Sequence, residues 1–419
     1  MKKLLCSKRK EEKALKITIK RIPPKDRIFY LIYGFYLFFS YINVSLLGGY
    51  IPGIYYGISI LTVVALLTLE LTNRHSNRMA IGIIVIAITL LMLINYSRGG
   101  VAFESLAILI VICMAGRTRD VETLLTFSLF IGACALAIVV LCSQLGIVND
   151  FVSNYYGRVR HYLGFTYCLY PSRIMSSITI GLVYLRGKKF KFVEGIVLFF
   201  VNYVFYRLTD SRIAFITSVL IVVIALFINL VLEKRKKRKS IIGTSLEIFF
   251  KLFAVLSYCI CCAISFIMAI FFDSSNYWQS AINTFLGNRI VFSRQSLLQY
   301  GVKWYGQNIA WNGAGLSNYG TASNSIYNWV DNVYIKLFQS YGYVFAIIIL
   351  AIITFLMYRI AKTDNILMII ILTLIAISCM FEDILMQLYF NPFWFFLTAS
   401  ITKGKGKFDV YKERGMKST

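Results

Sequence analysis

Proline is scarce in this chain, 5 in 419 residues, and charged side chains make up only 15% of it. Hydrophobic residues reach 58%, whereas a soluble domain carries about 45–50% apolar residues and about a quarter charged ones. Long apolar runs and few prolines together exclude a disordered or collagen-like chain. Acids are the scarcer sign, 19 Asp and Glu against 44 Lys and Arg, for a formal net charge of +25. Histidine occurs twice. No His-rich tract, GxGxxG loop or Walker loop is present, so no metal, dinucleotide or P-loop signature can be read. Most of the nine cysteines fall in apolar runs, where they read as small buried hydrophobes. Cys168 alone lies in an outer loop, so no disulfide framework is expected.

What the chain has is apolar length. Apolar stretches fall at 28–47, 51–71, 79–95, 101–115, 123–144, 172–185, 192–208, 212–232, 246–272, 333–357, 366–381 and 384–400. Each reads as a helix, because a helix satisfies its own backbone hydrogen bonds in lipid. The expected fold class is all-α, a polytopic integral membrane protein with about twelve transmembrane helices. A basic N-terminus (1–27) and a basic tail (401–419) flank one transmembrane domain (28–400). The stretches at 101–115 and 172–185 are short enough to be tilted or broken. No small-residue cleavage site follows a short apolar region, so no signal peptide is expected.

Charge sets the orientation. With the N-terminus in the cytoplasm, 34 basic residues fall inside and 10 outside, against 12 and 7 acids, giving +22 inside and +3 outside. His75 then sits in an inner turn with Arg74 and Arg78. This is the positive-inside pattern. It assigns the positive charge to orientation and headgroup attraction, excludes nucleic acid as the partner, and places both termini in the cytoplasm.

Two long loops, 145–171 and 273–331, then face outward, and long loops in a compact protein tend to be functional. The first brings Arg158, Arg160 and Arg173 to the outer face, with His161 beside them. Guanidinium pairs bidentately with phosphate oxygens, which suits a phosphate or pyrophosphate ligand, and a neutral histidine is a general-base candidate. The competing reading is a cluster that meets lipid headgroups. The second loop holds Trp278, Trp304, Trp311 and Trp329 among many Asn, Gly, Ser and Tyr. That composition fits either sugar contacts or an interfacial aromatic belt. Residues from Arg289 to Tyr305 have near-helical apolar spacing, and Arg289 and Arg294 lie about 140° apart on an ideal helix. Gly306, Gly313 and Gly315 read as backbone turns. Arg207, Asp210 and Arg212 crowd a turn at membrane depth, where ionisable groups pair or line a polar cavity. Asp331, Glu382 with Asp383, and Glu104 add outer carboxylates, scattered too widely to fix a metal site.

Four segments carry a family resemblance: RHYLGFTYCLYPS, RLTDSRIAF, GNRIVFSRQSLLQYGVKWYGQNI and DNVYIKLFQSYGY. In order and placement the chain resembles bacterial Wzy-type polysaccharide polymerases of Gram-positive capsule and exopolysaccharide clusters, related to the O-antigen polymerase and ligase family. Tyr162 stands where that family often has Ser, and Tyr167–Cys168 where His–Pro is common. The resemblance implies polymerisation of undecaprenyl-pyrophosphate-linked repeat units on the outer face of the plasma membrane; the scattered acids favour metal-independent chemistry, and no cofactor is expected. The implied partners are lipid-linked repeat units, membrane lipids, a flippase and a chain-length regulator. Arg158, Arg160, Arg289, Arg294 and Arg212 become the pyrophosphate contacts, His161 the base with Asp331 as its alternative, and Trp304 and Trp311 the glycan contacts. An O-antigen-ligase-like transferase needs the same cations. A lipid-linked oligosaccharide flippase would instead concentrate charge within its spans.

Overall fold

The computed structural model describes residues 23–72, 104–155, 158–235, 249–322, 326–363 and 365–402, with positions 82, 86–87 and 89–90. The expected span at 79–95 lies largely outside the described residues. So do the Arg74, His75 and Arg78 turn, the side chain of Glu104, and most of both termini.

The described chain is mostly helical. Its helices are α1 (Arg27–Asn43), α2 (Ile54–Thr72), α3 (Glu104–Gly116), α4 (Val121–Gln144), α5 (Tyr170–Arg186), α6 (Phe192–Thr209) and α7 (Arg212–Arg235). After a gap come α8 (Phe249–Val255) and α9 (Ser257–Ile270), bent by 64° from each other. Then follow α10 (Tyr277–Phe285), α11 (Arg289–Tyr300), α12 (Val333–Ala361), α13 (Ile366–Ser378) and α14 (Trp394–Thr402). Among the described residues five helices are long and apolar enough to cross a membrane: α2, α4, α6, α7 and α12. The bent pair makes six if it counts as one span. The architecture is that of a helical multi-pass membrane protein, with one small hairpin as the sheet among the described residues.

α5 occupies the centre, packed by α4, α6, α7 and α13. It is buried along nearly its whole length, yet it carries Ser172, Arg173, Ser176, Ser177 and Thr179. Its neighbours answer that polarity. Thr209 on α6 hydrogen-bonds Ser172 at 2.6 Å, and Asn202 donates to Thr179 Oγ1 at 2.7 Å. The opposite face of α6 presents Phe192, Val193, Phe200 and Val204 to the surroundings, the division a lipid-facing helix needs. At the other end of the bundle Arg117 pairs with Glu70 at 3.1 Å and Arg119 with Asp26 at 3.4 Å.

The stretch expected to form a last span at 384–400 does not form one helix. Residues 379–393 are irregular and largely buried, and α14 starts only at Trp394. Non-helical backbone at this depth survives only when protein groups satisfy it. Here Val333 N donates to Cys379 O at 2.9 Å, Tyr41 Oη to Tyr389 O at 2.7 Å, and Trp394 Nε1 to Leu385 O. Acidic Glu382 and Asp383 and the turn-forming Asn391–Pro392 supply the local reason for the break.

A second break lies in α12 at Gly342, where φ is +83°. The 303–307 segment crosses the kink and takes up the freed groups. Tyr343 N donates to Lys303 O at 3.2 Å, Val344 N to Trp304 O at 3.2 Å, and Gln307 N to Gln339 O at 3.1 Å. A Cβ at Gly342 would lie 2.2 Å from Gly306 N. Gly342→Ala is therefore expected to cost about 2 kcal/mol or more, read as a lower Tm in detergent. An unchanged Tm would refute the crossing.

Candidate functional site

The described residues of both expected outer loops include regular elements. Residues 145–171 form a hairpin, β1 (Val152–Tyr155) against β2 (Arg158–His161), with Val152 opposite His161 and Tyr155 opposite Arg158. Side chains alternate along a strand, so Arg158 and Arg160 share one face of β2 and Val159 and His161 the other. The face of Arg158 and Arg160 meets the end of α6. There Asp210 adopts the left-handed conformation with φ +50°. Its carboxylate accepts from Arg158 Nε, lies 3.8 Å from Arg160 Nε and 3.6 Å from Arg212 Nε. Three guanidinium groups thus share one carboxylate, while Arg207 is exposed. Behind them, burial pushes the Cys168 thiol up to about 11, against the pull of Arg160 and Arg158. The eight cysteines among the described residues are all free.

His161 points away from this cluster. Its Nδ1 lies 2.6 Å from Asp150 Oδ2, and Asp150 Oδ1 accepts from Leu163 N at 2.7 Å. Asp150 thereby holds Leu163 at φ +50°, a conformation leucine rarely adopts.

In the second loop Asn283 Oδ1 accepts from both Ile290 N and Val291 N at 3.2 Å, which caps α11. Arg289 and Arg294 leave α11 on different sides. Arg289 Nε donates to Asp331 Oδ2 at 2.9 Å, whereas Arg294 donates to the Phe272 carbonyl beyond α9.

A cavity of about 360 Å3 opens where α5, α11, the 312–331 segment and the irregular 382–390 segment converge. Arg289 and Asp331 line it together with Arg173, Glu382 and Asp383. Arg173 Nη1 lies 3.0 Å from Glu382 Oε2, with 4% and 7% of the two side chains exposed. Asp383 accepts from Lys336 Nζ at 2.6 Å. Lys336 in turn sits 3.4 Å from the ring centroid of Trp329, a cavity residue, and 5.6 Å from that of Trp311. Burial opposes the charge on Arg289, but Asp331, Glu382 and Tyr167 outweigh it and hold its pKa above the ordinary arginine value. Burial, reinforced by Asp331, raises the Tyr167 phenol well above its ordinary range, so this hydroxyl stays neutral.

The structure thus brings Arg289, Asp331, Arg173, Glu382 and Asp383 to one cavity and puts the other expected pyrophosphate, base and glycan contacts elsewhere. Arg158, Arg160 and Arg212 gather at Asp210, Arg294 anchors backbone, and His161 is not among the cavity-lining residues. Trp304 is 69% exposed and packs on Tyr343 with ring centroids 5.7 Å apart. Trp311 Nε1 reaches Ser340 Oγ at 3.4 Å, and Trp329 is the tryptophan on the cavity wall. Glycines take two roles. Gly306 turns at φ +79°, while Gly313 and Gly315 line the cavity. Gln387 and the pairing of Arg173 with Glu382 were missed by sequence reasoning. The available signal was two adjacent acids inside an apolar stretch, costly at membrane depth without a partner. Among the described residues no group of three or more His, Cys, Asp or Glu has metal-holding geometry. No family model, curated protein or solved structure matches this chain.

The Asp210 cluster makes its own forecast. Asp210→Asn removes the counter-charge of three guanidinium groups and should cost about 1–2 kcal/mol. Trypsin should then cleave after Arg158 or Arg160 faster than in the native protein. Equal cleavage rates would show that the hairpin does not depend on this carboxylate.

Proposed function

We propose that this protein polymerises lipid-pyrophosphate-linked oligosaccharide repeat units on the outer face of the bacterial plasma membrane. The observation that carries this reading is the cavity at the loop-bearing end of the bundle. It places the buried Arg289 guanidinium against Asp331, with Tyr167, Tyr327, Trp329 and Asn312 around it. In the reaction a growing glycan leaves its pyrophosphate and joins the terminal sugar hydroxyl of a new repeat unit. The leaving group gains negative charge, which preorganised cations stabilise. Arg289 does this from the cavity, with Arg158 and Arg160 of the neighbouring cluster meeting the rest of the anion. The acceptor hydroxyl gives up a proton, for which Asp331 stands in the cavity and His161 is the alternative base. Arg212 sets the arginine cluster in place, and Arg294 ties α11 to the bundle.

The same reading has the chain crossing the membrane about twelve times, some crossings as broken helices, with both termini cytoplasmic. α5 would be a crossing buffered from lipid by its neighbours, and 379–402 a broken one. Ser323, the natural loop reporter, lies outside the described residues, so exposed Ser275 serves instead. A cysteine at Ser275 should react with a membrane-impermeant maleimide in intact cells. Reaction only after permeabilisation would overturn the topology.

Activity has a direct test. Purified protein in liposomes, given the host's lipid-linked repeat unit with and without divalent metal, should yield a ladder of integer repeats. Arg289→Ala should slow the ladder about 100-fold. Full-length polymer at normal rate from a folded Arg289→Ala protein would remove Arg289 from the leaving-group role.

A further inference from the structure

At Arg173 the cavity is not built as an anion site. Its two lining guanidinium groups, Arg173 and Arg289, each face a carboxylate, and the third carboxylate, Asp383, is held by Lys336. A phosphate at Arg173 would meet the carboxylate already paired there, Glu382. The Asp210 cluster differs, with three guanidinium groups around one carboxylate.

The polar groups of the cavity wall are also incompletely paired. Arg173 Nη1 and Glu382 Oε2 have each other at 3.0 Å, but Arg173 Nε has no hydrogen-bond acceptor and Gln387 Oε1 no donor. Buried groups without partners are few in native proteins, and each calls for a cause. These two atoms are one donor and one acceptor, on two residues that line one cavity. A phosphate offers acceptors alone and would leave Gln387 unpaired. A hydroxyl both donates and accepts, so adjacent hydroxyls on one ring match both kinds of group, with slight rotation of the side chains to meet them. The volume of about 360 Å3 lies in the range of small-ligand sites and suits a short saccharide. Trp329 adds a ring backed by Lys336 at 3.4 Å, a platform for the apolar face of a sugar.

The geometry points to a carbohydrate hydroxyl-binding subsite at Arg173, Glu382 and Gln387 that holds the acceptor sugar as an uncharged polyol. This assignment rests on the polymerase reading for the word acceptor; the choice of a polyol over an anion rests on the cavity itself. It places the acceptor sugar within the same cavity as Arg289 and Asp331.

The test uses the full chain in detergent and two probes: the phosphate-free oligosaccharide released by mild acid from the lipid-linked repeat, and inorganic pyrophosphate. The oligosaccharide should raise the Tm of the native protein, and equimolar pyrophosphate should not displace it. Gln387→Leu leaves the backbone bonds of the 379–393 segment in place and should weaken oligosaccharide binding about tenfold or more. Arg173→Lys, which keeps the charge but loses the planar fork, should weaken it as well. Displacement by pyrophosphate, or native affinity in both variants, would overturn the subsite. Binding without any ladder of repeats would sink the polymerase reading and leave the subsite standing. A ladder without oligosaccharide binding would do the reverse, and the absence of both would remove both.

Discussion

Arg173 and Glu382 join the central helix to the irregular segment that follows α13, and the candidate site depends on that pair. Both side chains are almost wholly buried. In such surroundings a lone charge costs about 3–5 kcal/mol more than a paired one. α5 can therefore carry an arginine only because 379–393 brings a carboxylate to it. That segment in turn can leave helical geometry only because Tyr41, Val333 and Trp394 satisfy its backbone. Remove the pair and the cavity loses a wall, because Glu382, Asp383 and Gln387 all stand on that one irregular stretch.

The same economy of charge divides the loop-bearing end of the molecule in two. In the cavity each cation is met by an acid, so the field there is nearly balanced. At the hairpin one aspartate serves three arginines, so positive charge is left over. A group-transfer reaction between a sugar hydroxyl and a glycosyl pyrophosphate asks for both environments side by side. The hydroxyl needs hydrogen-bond acceptors without a strong field, and the departing anion needs excess cation. Cys168, raised by burial and lowered by Arg160, belongs with Tyr162 and Leu316 to the small apolar cluster beside the cavity.

Much of this was open to reading in the amino-acid order. Long apolar stretches with few charges determined a helical membrane protein, and α2, α4, α6, α7 and α12 lie close to the residues those stretches mark. The spacing of Arg289 and Arg294 determined that they leave α11 on different sides, because a helix turns about 100° per residue. The hairpin at 152–161 was not read from the sequence, and its strand pairing put Arg158 and Arg160 on one face and His161 on the other. Tertiary structure alone decided which arginines share a site, since Arg158 meets Asp210 across 52 positions and Arg289 meets Asp331 across 42. It also decided that 384–400 breaks, because apolar composition fits a helix and a buried irregular segment equally well. The difference lies in partners far along the chain that satisfy the backbone, and hydropathy reports the cost of burying a group without reporting what is there to pair with it.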